Sequence, residues 1–113
     1  MARELRKGDG GLRGAAFTPR EVAYCEGKRE PARAFARHFA AKEAVLKALS
    51  TGCSDGVGFR DVEIRERDRA EPVILLSGRA GEVAARRRIT GIRLALSSTP
   101  ELAMATVVVE SPE

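Results

Sequence analysis

The sequence predicts an α+β domain, a mainly antiparallel sheet packed against one long helix. Three observations carry this. Pro31 opens the run ARAFARHFAAKEAVLKAL, dense in Ala, Leu and Lys and free of glycine until Gly52. Residues 59–65 (FRDVEIR) alternate, with Val62 and Ile64 on one face and Asp61, Glu63 and Arg65 on the other, as a half-solvated strand does. The segments follow in the order helix, helix, strand, strand, helix, strand, strand, with no internal repeat.

Taken in order, residues 1–16 are polar and rich in glycine, and Gly8, Gly10, Gly11 and Gly14 predict a mobile arm. Thr18-Pro19-Arg20-Glu21 then supplies a cap, a proline suited to the first helical position and an acid three residues after the cap, so a short helix starts at residue 19. Gly27 suits its stop near Cys25. In the long helix, Phe35, Phe39, Leu46 and Leu49 share a stripe, while Ala36, Ala40, Ala44 and Ala48 make a small-residue face for a closely packed neighbour. Residues 72–76 (PVILL) read as the partner of strand 59–65, with 66–71 as the loop between them. Residues 77–88 form a further helix ending in Arg86, Arg87 and Arg88, whose charge suits a helix C-terminus. Ile92, Leu94 and Leu96 alternate, Pro100-Glu101 turns, and residues 102–109 (LAMATVVV) are apolar on both faces, as in a central strand.

With 113 residues, the chain makes one domain spanning 1–113. Hydrophobic residues at 43% against 32% charged exclude general disorder, and 4% aromatic residues without Trp imply an aliphatic, Ala-rich core that gains from burial against copies of itself. The net charge of +4 favours anionic partners without choosing among them. Cys25 and Cys53 lack a CxxC spacing, which argues for reduced, buried thiols and against zinc. No apolar leader or run of about 18 apolar residues occurs, so a cytoplasmic protein without membrane association is expected.

Chemistry concentrates in the long helix. Glu43 lies roughly 40° from Phe39 and roughly 60° from Leu46 around the axis, which puts a carboxylate at the border of the apolar stripe. A half-buried carboxylate needs a cation, and Lys47, four residues on, could form an ordinary helical ion pair with it. Lys42 lies on the stripe side, its stem packing and its ammonium reaching out. Ser50-Thr51-Gly52, followed by Asp55-Gly56-Val57-Gly58, offers backbone amides to a phosphate or simply ends the helix.

The ordered blocks FTPREVAYC, HFAAKEAVLKALSTG, GFRDVEI and LSSTPELAMATVVVE closely resemble the small holo-acyl-carrier-protein synthases among the 4'-phosphopantetheinyl transferases, over about Arg13 to Glu110. The resemblance implies that family's fold and a transferase that moves 4'-phosphopantetheine from coenzyme A to a serine of apo acyl carrier protein, releasing adenosine 3',5'-bisphosphate. Such carriers serve fatty-acid or polyketide biosynthesis. It further implies Glu43 as a ligand of Mg²⁺ and a catalytic residue, Lys47 as catalytic and near the phosphates, Lys42 as the basic residue beside the acid, and Lys42, Lys47, Thr51 and Gly52 as the residues that bind coenzyme A, the last two as the turn that hugs the nucleotide. Relatives of this kind are trimers with the site between subunits, and their carrier-binding bases correspond here to Arg3, Arg6 and Arg13.

The chain also departs from that pattern. Most relatives begin with a strand of the form Gly-x-Asp, whose aspartate is a second metal ligand; this chain has no such strand, and Asp9 stands in the wrong place relative to Phe17 to replace it. One carboxylate fewer implies weaker metal binding and slower turnover. His38 replaces a common arginine, and Ser97-Ser98-Thr99 replaces a common Ser-His-Thr; His38 is assigned to packing and not to catalysis. Two other classes stay open at this point: an impaired family member acting as a carrier-binding or synthase-associated module, and a nucleic-acid binder using residues 86–88, for which aromatic stacking residues are lacking.

Overall fold

The computed structural model describes residues 10–49 and 56–112. Three helices come first: α1 (Gly10–Ala16), α2 (Pro19–Glu26) and α3 (Pro31–Ala48). A 3-10 turn (Phe59–Asp61) leads into strands β1 (Val62–Arg67) and β2 (Ala70–Leu76), then α4 (Gly78–Arg86), β3 (Gly91–Ser98) and β4 (Ala103–Glu110). The strands pair as two antiparallel hairpins, β1 with β2 and β3 with β4. β2 packs beside β3, where Arg93 donates to both carboxylate oxygens of Glu71 at 2.8 and 2.7 Å, and α3 packs across β4, β3 and β1.

The short helix starts where its sequence demands. Thr18 Oγ1 accepts from Glu21 N at 3.2 Å while Thr18 N donates to Glu21 Oε1 at 2.9 Å, a reciprocal capping box with Pro19 in the first turn. At the other end of α3, a guanidinium from the arginine triplet is the cap: Arg87 Nη1 donates to Leu49 O.

Two cores flank α3. Ala16, Phe17, Cys25, Ala34 and Phe35 pack where α1 and α2 meet it, with the Phe17 and Phe35 rings edge-on at 4.9 Å. On the sheet side, Ala41, Val45 and Leu49 pack against Val62, Ile64, Ala80, Val83 and Leu94. Cys25 is a buried free thiol as expected; Cys53 lies outside the described residues.

Five expectations are corrected. The strand expected over 59–65 begins only at Val62, because residues 59–61 wind into a 3-10 turn in which Asp61 N donates to Gly58 O. The expected polar arm is helical over Gly10–Ala16, because tertiary contacts override its glycines: Arg13 is buried, stacks 4.4 Å over the Phe35 ring and pairs with Glu26, and Ala16 joins the core. The loop expected at 66–71 shrinks to Asp68 and Arg69, since β1 and β2 continue to Arg67 and from Ala70, with Arg69 taking a left-handed φ of 56°. The last helix is shorter at both ends than 77–88. β4 is not apolar on both faces because it is buried on both; it alternates, leaving Met104 57% and Val108 54% exposed, with Leu102 60% exposed just before it.

Asp61 joins the hairpin to α4. Its carboxylate accepts from Gly58 N and Ala80 N at 3.3 and 3.4 Å, and its carbonyl accepts from Ser77 N at 2.9 Å. Gly78 passes this carboxylate with a φ of +51°, and a Cβ there would lie 3.1 Å from Asp61 Oδ1. Gly78→Ala is therefore expected to cost about 1–2 kcal/mol, read as a lower denaturant midpoint at unchanged slope.

Candidate functional site

The buried face of α3 is not the one its large apolar residues suggest. Ala34, Phe35, His38, Ala41, Lys42, Val45 and Leu49 are the buried positions, so the face centres roughly 150° round the axis from Glu43. Glu43 is accordingly exposed instead of bordering the core, and Lys47, a turn further on, is exposed beside it. The two make no ion pair, and neither has another partner among the described residues. A carboxylate and an ammonium thus stand open on one side of α3, separated by roughly 6 Å of helical rise. Thr51 and Gly52, which follow the end of this helix in sequence, lie outside the described residues, as do Arg3 and Arg6.

Lys42 corrects the expectation of an ammonium reaching outward. It is fully buried; Nζ lies 2.7 Å from Glu21 Oε1 and donates to Phe59 O at 2.8 Å and to Val62 O. Arg13 pairs with Glu26 and stacks on the Phe35 ring.

Two departures from the family pattern turn out to be joined. His38 is buried, its ring stacked on Tyr24 at 5.6 Å, with Nε2 2.9 Å from Glu66 Oε2 and Nδ1 3.4 Å from Glu21 Oε2 without a well-aligned hydrogen bond. Glu66 also accepts from Arg37 Nε at 3.2 Å. Arg37 Nη1 in turn reaches Ser98 Oγ at 3.3 Å, and Arg33 donates to Ser98 Oγ and Ser98 O at 3.0 and 2.6 Å. His38 and Ser98 are therefore two ends of one polar chain. Arg33 and Arg37, with Lys28, Arg29 and Glu30, line an open cleft of about 300 Å³ able to accept an anion. The sequence signal for these residues was a run of bases at 28, 29, 33 and 37, the last two four apart on one helix face.

The electrostatics follow from these contacts. Burial pulls the His38 imidazole toward neutrality, but the Cys25 sulfur and the Glu21 and Glu66 carboxylates outweigh it and push the ring up to about 11. Burial likewise opposes ionisation of Glu21 and Glu66, yet His38 with Lys42, and His38 with Arg37, hold the two below the usual carboxylate range. Desolvation leaves Lys42 below the ordinary lysine value despite Glu21. Among the described residues no three His, Cys, Asp or Glu side chains gather as a metal cage. Glu43 is exposed with no ion-pair partner among the described residues, so its carboxylate is open to a hard cation that completes its shell with water and phosphate oxygens.

A raised folded pKa adds stability that is complete below the unfolded value and lost as pH climbs through the folded one. The contribution of His38 should therefore be full below about pH 6.5 and decline toward pH 11. His38→Asn is expected to flatten that part of the pH–stability curve, and His38→Ala, which strips the buried Glu21 and the half-buried Glu66 of a shared cation, to cost about 3 kcal/mol or more, both by thermal unfolding.

Comparison with known proteins bears on the family and the fold. The profile of the 4'-phosphopantetheinyl transferase superfamily matches residues 1–106. A holo-[acyl-carrier-protein] synthase of Geotalea daltonii is 47% identical over 94 residues, 83% of this chain and 75% of that protein. One from Geobacter sp. strain M21 is 38% identical over 106 residues, 94% of this chain and 85% of that protein. Among solved structures, the holo-[acyl-carrier-protein] synthase of Neisseria meningitidis superposes with a TM-score of 0.83 at 28% identity, covering 96% of this chain and 87% of that one. The Helicobacter pylori enzyme, solved in complex with coenzyme A, gives 0.78 at 26% identity, covering 96% and 93%. The chain therefore belongs to the 4'-phosphopantetheinyl transferase superfamily, with the holo-[acyl-carrier-protein] synthases.

Proposed function

We propose that the protein transfers 4'-phosphopantetheine from coenzyme A to a serine of apo acyl carrier protein. The observation that carries the reading is the pair Glu43 and Lys47, exposed side by side on α3 and without partners among the described residues. An acid and a base four apart ordinarily neutralise each other; here both remain available to a ligand. The relatives named as holo-[acyl-carrier-protein] synthases, and the coenzyme A complex of the Helicobacter pylori enzyme, support the same donor and acceptor. Among the described residues of the site nothing favours a docking module without chemistry or a nucleic-acid binder.

In the reaction, the carrier serine oxygen loses its proton to solvent and forms a bond to the β-phosphorus of the donor, and the bond from that phosphorus to the adenosine 3',5'-bisphosphate oxygen breaks, the leaving group taking the bonding pair. Negative charge develops on the non-bridging and leaving oxygens. Mg²⁺ held by Glu43 would supply neutralisation of that charge. Glu43 supplies the protein's hold on the ion from a rigid helical position. Lys47, one turn on, places a cation where the donor phosphates meet it. Thr51 and Gly52, just beyond the helix, follow the resemblance as the turn about the nucleotide.

We propose also that copies assemble as a trimer, with the site completed between subunits. Support comes from the outward side of β4 and its approach, where Leu102, Met104 and Val108 stand exposed on a protein whose core is short of aromatics. No helix among the described residues is long and apolar enough to cross a membrane.

Incubation with coenzyme A, Mg²⁺ and an apo carrier protein should add phosphopantetheine to the carrier, seen by intact mass; no gain at high enzyme concentration overturns the reading. Glu43→Gln, or chelation of Mg²⁺, is expected to lower turnover at least about 10- to 100-fold with no loss of thermal stability. Lys47→Ala is expected to raise the KM for coenzyme A about tenfold or more. Met104→Asp with Val108→Asp should lower the mass found by analytical ultracentrifugation to that of one chain.

A further inference from the structure

Lys42 precedes Glu43, yet the two side chains leave α3 roughly 100° apart, one into the interior and one into solvent. The Lys42 ammonium meets three acceptors, Glu21 Oε1 at 2.7 Å, Phe59 O at 2.8 Å and Val62 O. An ammonium has three protons, so none is left for a phosphate. The acceptors belong to different pieces of the fold: Glu21 to α2, Phe59 to the 3-10 turn and Val62 to the start of β1. Glu21 is itself fixed, accepting from Thr18 N and Ile64 N, each at 2.9 Å. Lys42 is thus a peg through which α2, the turn and β1 jointly set the rotation of α3 about its own axis. The direction of Glu43 follows, because successive side chains on a rigid helix keep a fixed angle.

We infer that Lys42 is a positioning residue, which acts through Glu21 to aim Glu43 and Lys47, and is not a ligand of the donor phosphates. This rests on the reading of Glu43 and Lys47 given under the proposed function. A ligand role would need the ammonium to abandon Glu21 in the interior, leaving a buried carboxylate short of its cation.

Two measurements test it. In the first, the full chain is treated with an amine-acylating reagent, with and without coenzyme A and Mg²⁺, and each lysine is followed by peptide mass spectrometry. Lys42 is expected to stay unmodified in both conditions, while Lys47 is modified in the free protein and protected by coenzyme A. Modification of Lys42 in the free protein, whether or not coenzyme A prevents it, overturns the inference. Failure of coenzyme A to protect Lys47 counts against the donor site and leaves the Lys42 result to stand by itself. The second compares Glu21→Gln, Lys42→Met and the double variant. Each single change should lower kcat about tenfold or more, with the KM for coenzyme A within about twofold of the parent, and the double should be no worse than the poorer single, since both changes remove one device. A tenfold rise in KM for coenzyme A on adding Lys42→Met to Glu21→Gln overturns it. If Lys42→Met does not fold, the acylation pattern decides.

Discussion

One carboxylate organises this domain. Glu21 closes the capping box of α2, takes the amide of Ile64 in β1, faces Lys42 in α3 and lies 3.4 Å from the ring of His38. Three elements that share little sequence proximity are thereby tied at one point inside the protein. Burying such a group without partners would cost several kcal/mol; with two cations and two backbone amides around it, the charge becomes a directional constraint, because only one relative setting of α2, α3 and β1 satisfies them all. The apolar contacts of Val45, Ile64 and Leu94 supply cohesion. They would tolerate small rotations that the polar cluster does not.

Much of the fold was legible in the sequence because its signals are local. The capping box at Thr18 and Glu21, Pro31 at the head of α3 and the alternation of Val62 and Ile64 each depend on residues within a few positions, and each is found as read. Long-range contacts decided the rest. Nothing near Gly10–Ala16 announces a helix, since what holds it is the Phe35 ring and the Glu26 carboxylate reached through Arg13. The pattern of the long helix singled out Glu43 and Lys47 but misjudged their exposure, because hydrophobicity counts Phe39 and Leu46 toward the inner stripe and does not centre it on His38 and Lys42. Those two polar residues lie at the heart of the buried face, a placement only their distant partners Glu21 and Glu66 make tolerable.

The same cluster explains how the chain carries His38 and Ser98 where relatives of its kind commonly have arginine and histidine. The polar chain from His38 through Glu66 and Arg37 to Ser98 keeps cations at both ends of a single carboxylate, so the basic edge of α3 survives the exchange of side chains. Arg33, bonded twice to Ser98, anchors the first turn of α3 to the last residue of β3. The cleft formed with Lys28 and Arg29 is framed by this arrangement and not by loops alone.

Tyr24 is the single tyrosine of a protein without tryptophan, and its ring lies flat on the imidazole at the centre of the polar cluster. Apart from four faintly emitting phenylalanines, the molecule therefore has one intrinsic fluorophore, placed at the seam where α2 meets α3. Its ultraviolet emission reports on that seam and on little else, so the opening of this contact can be followed by light without attaching a dye.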